Sequence, residues 1–176
     1  MMDLLAEMKR GNNKQKAAYL MLAELEIFSQ MRSYHPVLCG TIPLGIDVEN
    51  SDLDIIMEVT DLKEFEQQLR RHYGDQAGFT MKNKMIRGRE VVKANFIFQN
   101  FEVEIFGQHQ PVHKQNAYLH MIIEFELLKE TPALKNKVKD LKKRGYNTES
   151  AFCELLGLPG DPFVNLIAFG RRKGII

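Results

Sequence analysis

Hydrophobic and polar positions change rhythm along the chain. Between 14 and 33, apolar residues recur at helical spacing: Ala17, Leu20, Leu22, Leu25, Ile27 and Phe28 supply one side of a helix, and Gly11-Asn12-Asn13 breaks the pattern upstream. Pro36-Val37-Leu38-Cys39 reads as a short buried strand ending at Gly40. A second, mostly apolar strand follows at 53–59, with Asp52 at its start and Asp54 inside it. Asp61 and Glu64 form a capping-box-like pair at the start of a helix that Gly74 closes. Strands at 79–86, 90–98 and 101–106 make a meander, with Gly88 in its first turn and Gln99-Asn100 as a two-residue second turn.

Beyond about residue 112 every segment has the helical period, with helices at 115–130, 132–144, 148–156 and 162–169. Thr131-Pro132 and Asp161-Pro162 each place a capping side chain before a proline at the first helical position. Gly145, Gly157 and Gly170 stand where helices stop. The pattern predicts an α/β fold: a short, twisted mixed sheet of about five strands with flanking helices. Its core would span 1–111, with a helical C-terminal region, 112–176, packed on it. Phe96, Phe98, Phe101, Phe106, Phe125 and Phe169 read as core.

Composition narrows the function classes. With 44% hydrophobic and 27% charged residues in 176, the chain has the make-up of a globular protein, which excludes global disorder. Lys+Arg (24) against Asp+Glu (23) leaves a net charge of +1, so no polyanionic partner is implied. Apolar runs fall short of the roughly 20 residues that span a bilayer, and Met1-Met2-Asp3-Leu4-Leu5 lacks the features of a signal peptide. Cys39 and Cys153, both in apolar sequence, read as buried thiols in a reducing compartment. A cytoplasmic protein without a membrane partner is expected.

The chemistry gathers between Gly40 and Asp54. Aspartates at i and i+2 on a strand share a face and lie about 6.6 Å apart along it. Carboxylates so placed can share two hard divalent ions roughly 3.5–4 Å apart, and magnesium suits carboxylates together with phosphate oxygens. Two acids in an otherwise apolar strand are costly to bury as ions unless a cation meets them. Upstream, Gly40 lets the backbone approach a phosphate closely, and Thr41 adds a hydroxyl and an amide. A phosphate cradle joined by a short loop to a metal-binding strand is what a nucleoside triphosphate with magnesium requires.

Gly40, Thr41, Gly45, Ser51, Asp52 and Asp54 are in register with the signature of the nucleotidyltransferase superfamily typified by DNA polymerase beta, which this stretch resembles. Threonine replaces the commoner serine and keeps the hydroxyl. The resemblance implies a third carboxylate on a neighbouring strand. Glu104 in Val-Glu-Ile-Phe is the favoured candidate and Glu102, on the same strand face, the alternate; glutamate stands where many members carry aspartate. The stretches 104–108, 115–118 with His120, and 151–162 are similar to a family of small, uncharacterised bacterial proteins predicted to be nucleotidyltransferases. The implied activity moves a nucleoside monophosphate from a nucleoside triphosphate such as ATP to an acceptor hydroxyl or phosphate. The cofactor would be Mg2+, two ions, with Mn2+ as a substitute. Asp52, Asp54 and Glu104 would hold the metals, and Gly40 and Thr41 the phosphates. The acceptor is open among a small molecule, a protein and an RNA end.

Weaker features complete the picture. Lys82, Lys84, Arg87, Arg89 and Lys93 surround the meander's first turn; Arg87 and Lys84 are the candidates to neutralise the triphosphate. Gln108, Asn116, Tyr118 and His120, with His109, His113 and Gln115, are candidates for the acceptor side, a histidine serving as base. The histidine spacing is no zinc pattern. Lys135, Lys137, Lys139, Lys142, Lys143 and Arg144 form a basic stripe that reads as a solvated helix face more readily than as a nucleic-acid surface. The rival reading is a catalytically inactive binding module of the same fold, a nucleotide sensor or an antitoxin-like partner. A phosphohydrolase of the Asp-x-Asp type fits poorly, because Ile55-Ile56-Met57 continue the strand after Asp54.

Overall fold

The computed structural model describes residues 4–176; the reading of Met1-Met2-Asp3 lies outside them. Helices α1 (Leu4–Arg10), α2 (Asn13–Leu25) and α3 (Ile27–Gln30) lead into strand β1 (Val37–Cys39), the one-turn helix α4 (Thr41–Leu44) and strand β2 (Leu53–Glu58). Helix α5 (Leu62–Tyr73) precedes the meander β3 (Ala77–Ile86), β4 (Arg89–Phe98) and β5 (Phe101–Gln108). Helices α6 (Asn116–Glu130), α7 (Leu134–Lys143), α8 (Thr148–Leu156) and α9 (Pro162–Arg172) follow. The five strands form one mixed sheet in the order β1-β2-β5-β4-β3. Strand β2 runs parallel to β5, and every other pairing is antiparallel.

Strand alternation divides this sheet into two chemically different faces. Leu53, Ile55, Met57 and Val59, with Val103, Ile105, Val92, Ala94 and Phe96, pack under α2 and α5 in one apolar cluster. The opposite parity carries Asp54, Ile56, Glu104 and Phe106 toward α6–α9. There Ile56 joins Met121, Ile123, Leu127, Val138, Phe152 and Leu166 in a second cluster. Leu4, Cys39, Leu44 and Ile46 belong to that second cluster, so it ties the start of the chain to its helical end. Gly107 lets α5 press onto the sheet: a Cβ there would lie 2.3 Å from the Phe65 ring.

Local signals explain most boundaries. Asp61 accepts from the amides of Lys63 and Glu64, and Asp161 from that of Phe163 with Pro162 at the first helical position. Both hairpin turns are two-residue with positive φ at each position: Arg87-Gly88, and Gln99-Asn100.

Four expectations need correction. The helix over 14–33 breaks at Glu26, which adopts a left-handed φ of 55°. Its buried face is Ala18, Met21, Leu22 and Leu25, leaving Ala17 and Leu20 exposed. Thr131 caps with no side-chain bond: its carbonyl accepts from Leu134, and the next helix starts two residues later than predicted. Gly170 lies inside α9, where a Cβ would meet Ile123 at 2.4 Å, so it serves close packing of α9 on α6. Of the six phenylalanines, Phe96 is fully buried, and the others are partly buried against the two clusters. Both cysteines are buried free thiols. Among the described residues no helix is long and apolar enough to cross a membrane.

Candidate active site

The polar face of the sheet and helices α6–α9 enclose a cleft of about 650 Å³. One wall is set by strand register. Asp54 of β2 pairs directly with Glu104 of β5, and Asn95 of β4 pairs with Glu104 from the other side. Paired residues project to the same face, so Asp54 and Glu104 meet although they are fifty positions apart. With Asp52 they form one group in which a carboxylate oxygen from each lies within 4.8 Å of the others. Glu102 pairs with Ile97, further along β5 and exposed, and is not in the group.

The charge balance of this wall is unfavourable in the absence of a cation. Lys93 forms an ion pair with Glu104 at 2.5 Å, and the Asn95 amide donates to the same oxygen at 3.4 Å. Among the described residues, one ion-paired lysine stands against three carboxylates. Burial pushes the Asp54 carboxyl up to about 7, and the charges of Asp52 and Glu104 add to it against Lys93. Asp52 is raised as well, first by burial and then by Glu104, while its own backbone amide, Lys93 and Lys142 oppose. Three oxygen donors that repel one another fit a hard divalent ion, which relieves that repulsion.

Gly40 explains how the acids come so near the preceding turn. Its φ is +84°, and a Cβ there would sit 2.1 Å from Asp54 Oδ2. Any side chain would displace the carboxylate. Gly40, Thr41 and Ser51 line the cleft. Ser51 Oγ accepts from the Val48 amide and closes the loop between α4 and β2. Gly45 is outside the lining; its φ of +66° ends α4, and it lies against the Lys135 side chain.

The remaining candidates divide. Arg87 and Arg89 line the cleft at the tip of the β3–β4 hairpin, and Lys84 is exposed outside it. Arg87 reaches across to α9, with its guanidinium 5.3 Å from the Phe163 ring centre and 4.0 Å from Asp161. Gln108, Asn116 and His120 line the cleft. Both ring nitrogens of His120 are engaged, Nδ1 with Glu149 at 3.3 Å and Nε2 with the Phe163 carbonyl at 2.9 Å, so it tethers helices and is not free to act as a base. Tyr118 points away, into a separate apolar groove with Leu5, Phe28 and Pro36. Gln115 ties the loop down by donating to the Met57 and Gln110 carbonyls. His109 contacts the Val59 carbonyl, and His113 is exposed.

Three residues that sequence reasoning passed over also line the cleft: Glu124, Glu149 and, from the basic stripe, Lys142. Asn116, His120 and Glu124 recur every four residues along α6. That spacing on one helix face was the available signal for Glu124. Burial pushes Glu124 up to about 8, with Glu149 adding and Lys142 opposing. For Glu149 the burial effect is outweighed by its bonds to His120 and its own amide, and its carboxyl lies below the usual range. Burial lowers Lys142 against the four surrounding acids.

The fold is that of polymerase-type nucleotidyltransferases. A structure of the GLD-2/RNP-8 complex matches with a TM-score of 0.54 and 12% identity over 85% of this chain and 60% of that one. A Cid1 poly(U) polymerase with bound MgGTP matches at 0.52 and 18%, over 78% and 42%. A cytoplasmic RNA terminal U-transferase matches at 0.51 and 19%, over 74% and 41%. The chain therefore spans less than two thirds of each of these proteins. No curated protein sequence matches it. The model of the family described as a domain of unknown function, DUF4269, matches residues 20–169; every residue lining the cleft falls within that range, and the chain belongs to this family.

Proposed function

We propose that this chain is a metal-dependent nucleotidyltransferase that moves a nucleoside monophosphate from a nucleoside triphosphate to an acceptor hydroxyl or phosphate. The observation that carries the reading is the convergence of Asp52, Asp54 and Glu104 beside the Gly40–Thr41 turn, on one wall of a cleft of nucleotide size. The resemblance of the signature residues to the superfamily and the likeness of fold support it from two further directions.

In this reading the acceptor oxygen attacks the α-phosphorus, the bond to the oxygen bridging toward the β-phosphorus breaks, and pyrophosphate leaves. Magnesium held by the triad would neutralise phosphate charge and lower the pKa of the acceptor hydroxyl. The chain's own groups do the positioning. Thr41 and the amides of its turn donate to the β and γ phosphates, while Arg87 and Arg89 face them from the hairpin tip. Lys93 and Asn95 fix the Glu104 carboxylate. Gln108 and Asn116 line the acceptor side. Lys84, outside the cleft, has no place in this scheme.

The test is calorimetric titration of the four ribonucleoside triphosphates, with and without magnesium, on wild type and on D52N/D54N. Magnesium-dependent binding that the double variant loses is expected, followed by pyrophosphate release once an acceptor is supplied. Absence of binding by the wild type under both conditions overturns the reading.

A further inference from the structure

Across the cleft from the triad stands a carboxylate with nothing to answer it. Glu124 is only 4% exposed, lines the cleft, and among the described residues has neither a hydrogen-bond donor nor a cation within ion-pair reach. Among the described residues, the side-chain oxygens sealed from solvent without a partner belong to Asp47 and Gln115, so the Glu124 carboxylate opens onto the cleft. Beside it, Glu149 has one oxygen engaged by His120. Lys142, the nearest cation, donates to Thr148 Oγ1 at 2.9 Å and pairs with neither acid. Buried without a donor or a cation, the Glu124 carboxyl avoids the cost of an unpaired charge by keeping its proton; on a cleft wall it marks the place of a ligand that brings the missing donors.

The chemistry of that ligand follows by elimination. Glu149, whose carboxyl lies below the usual range, stays ionised and repels a phosphate. A metal needs several converging ligand atoms, and among the described residues only Asp52, Asp54 and Glu104 converge in that way. An organic ammonium supplies three N–H donors and bridges carboxylates at longer reach. We propose that Glu124 and Glu149 form a subsite for a protonated amine, so that the acceptor is a hydroxylated amine. Its ammonium seats on the helical wall, and its hydroxyl faces Asp52 and Asp54. The term acceptor rests on the transferase reading above; capture of the amine does not.

Proton linkage gives the subsite a distinctive readout. Glu124 is faced by Glu149 from α8, Lys142 from α7 and Cys39 from β1. With its carboxyl held near 8, it carries a proton at pH 7 in the empty cleft, and an arriving ammonium displaces that proton.

The experiment titrates the full chain, without nucleotide, with glucosamine and 1,3-diamino-2-propanol and with their uncharged counterparts glucose and glycerol. Calorimetry at pH 7 in two buffers of different ionisation enthalpy counts the protons. The amines are expected to bind at least tenfold more tightly than the neutral compounds, releasing close to one proton, and E124Q is expected to abolish both the preference and the release. Should E124Q fail to fold, E149Q reads the preference instead. Equal binding of amines and neutral compounds, binding of none, or a preference that survives both substitutions overturns the subsite. A chain that binds triphosphate with magnesium but no amine loses only the subsite. One that binds amines but no triphosphate loses only the transferase reading.

Discussion

At the scale of single residues, burial and like charge make the acids of the cleft a cost to the metal-free fold. Asp54 is raised from 3.8 to about 7, so its ionised form weakens the folded state. The penalty is absent below the unfolded pKa, grows as pH rises from about 4 to 7, and is complete above 7. Metal-free D54N is therefore expected to exceed wild type in stability by about 1–3 kcal/mol at pH 8, a gap that closes toward pH 4 in thermal melts. A gap independent of pH would count against this account. Gly40 makes the opposite prediction: G40A combines a strained φ with a clash onto Asp54 Oδ2. It should lose about 1–3 kcal/mol and, unlike a neutral surface change, lose magnesium-dependent triphosphate binding in the same calorimetric assay.

At the scale of elements, the readable features were those that a short stretch specifies by itself. Asp161-Pro162, Gln99-Asn100 and the alternation around Asp52 and Asp54 each dictate their own geometry, and the structure carries all three. The break at Glu26 has no glycine or proline to announce it. The resemblance favoured Glu104 over Glu102, but the physical reason, the parallel register of β2 on β5 that sets Glu104 beside Asp54, is contained in no local pattern. The Glu124–Glu149–Lys142 group is assembled by packing of three helices, so the spacing along α6 could point to Glu124 but not to its neighbours Glu149 and Lys142. Tyr118 turned away because it stands two positions from both Asn116 and His120, off the α6 face that meets the cleft. The β3–β4 hairpin yields a test at this scale. Its Arg87–Asp161 contact is half exposed, so R87A should leave stability within about 0.5 kcal/mol. In the transferase reading R87A should weaken triphosphate binding severalfold while K84A does not; equal effects from the two would remove the hairpin tip from the phosphate site.

For the whole molecule, the sheet belongs to both hydrophobic clusters at once. Leu4, Cys39, Leu44 and Ile46 pack with Phe152 and Leu166, so the helical end shares its apolar interior with the rest of the chain. Thermal unfolding followed by far-ultraviolet dichroism and by tyrosine absorbance should give one coincident transition. Two separated transitions would show that 112–176 melts independently. The parallel pairing of β2 with β5 has a further consequence for how the chain reaches its finished form. The meander is joined by tight turns and closes locally, but β2 and β5 pair across about fifty intervening positions, the kind of closure that comes late. A slip of one residue would turn Glu104 to the wrong face. The carboxylate trio thus acts as a proofreading mark: half-finished or misregistered molecules present no ion trap, and luminescence from a bound lanthanide during refolding should lag behind the strand signal, reporting only correctly completed copies.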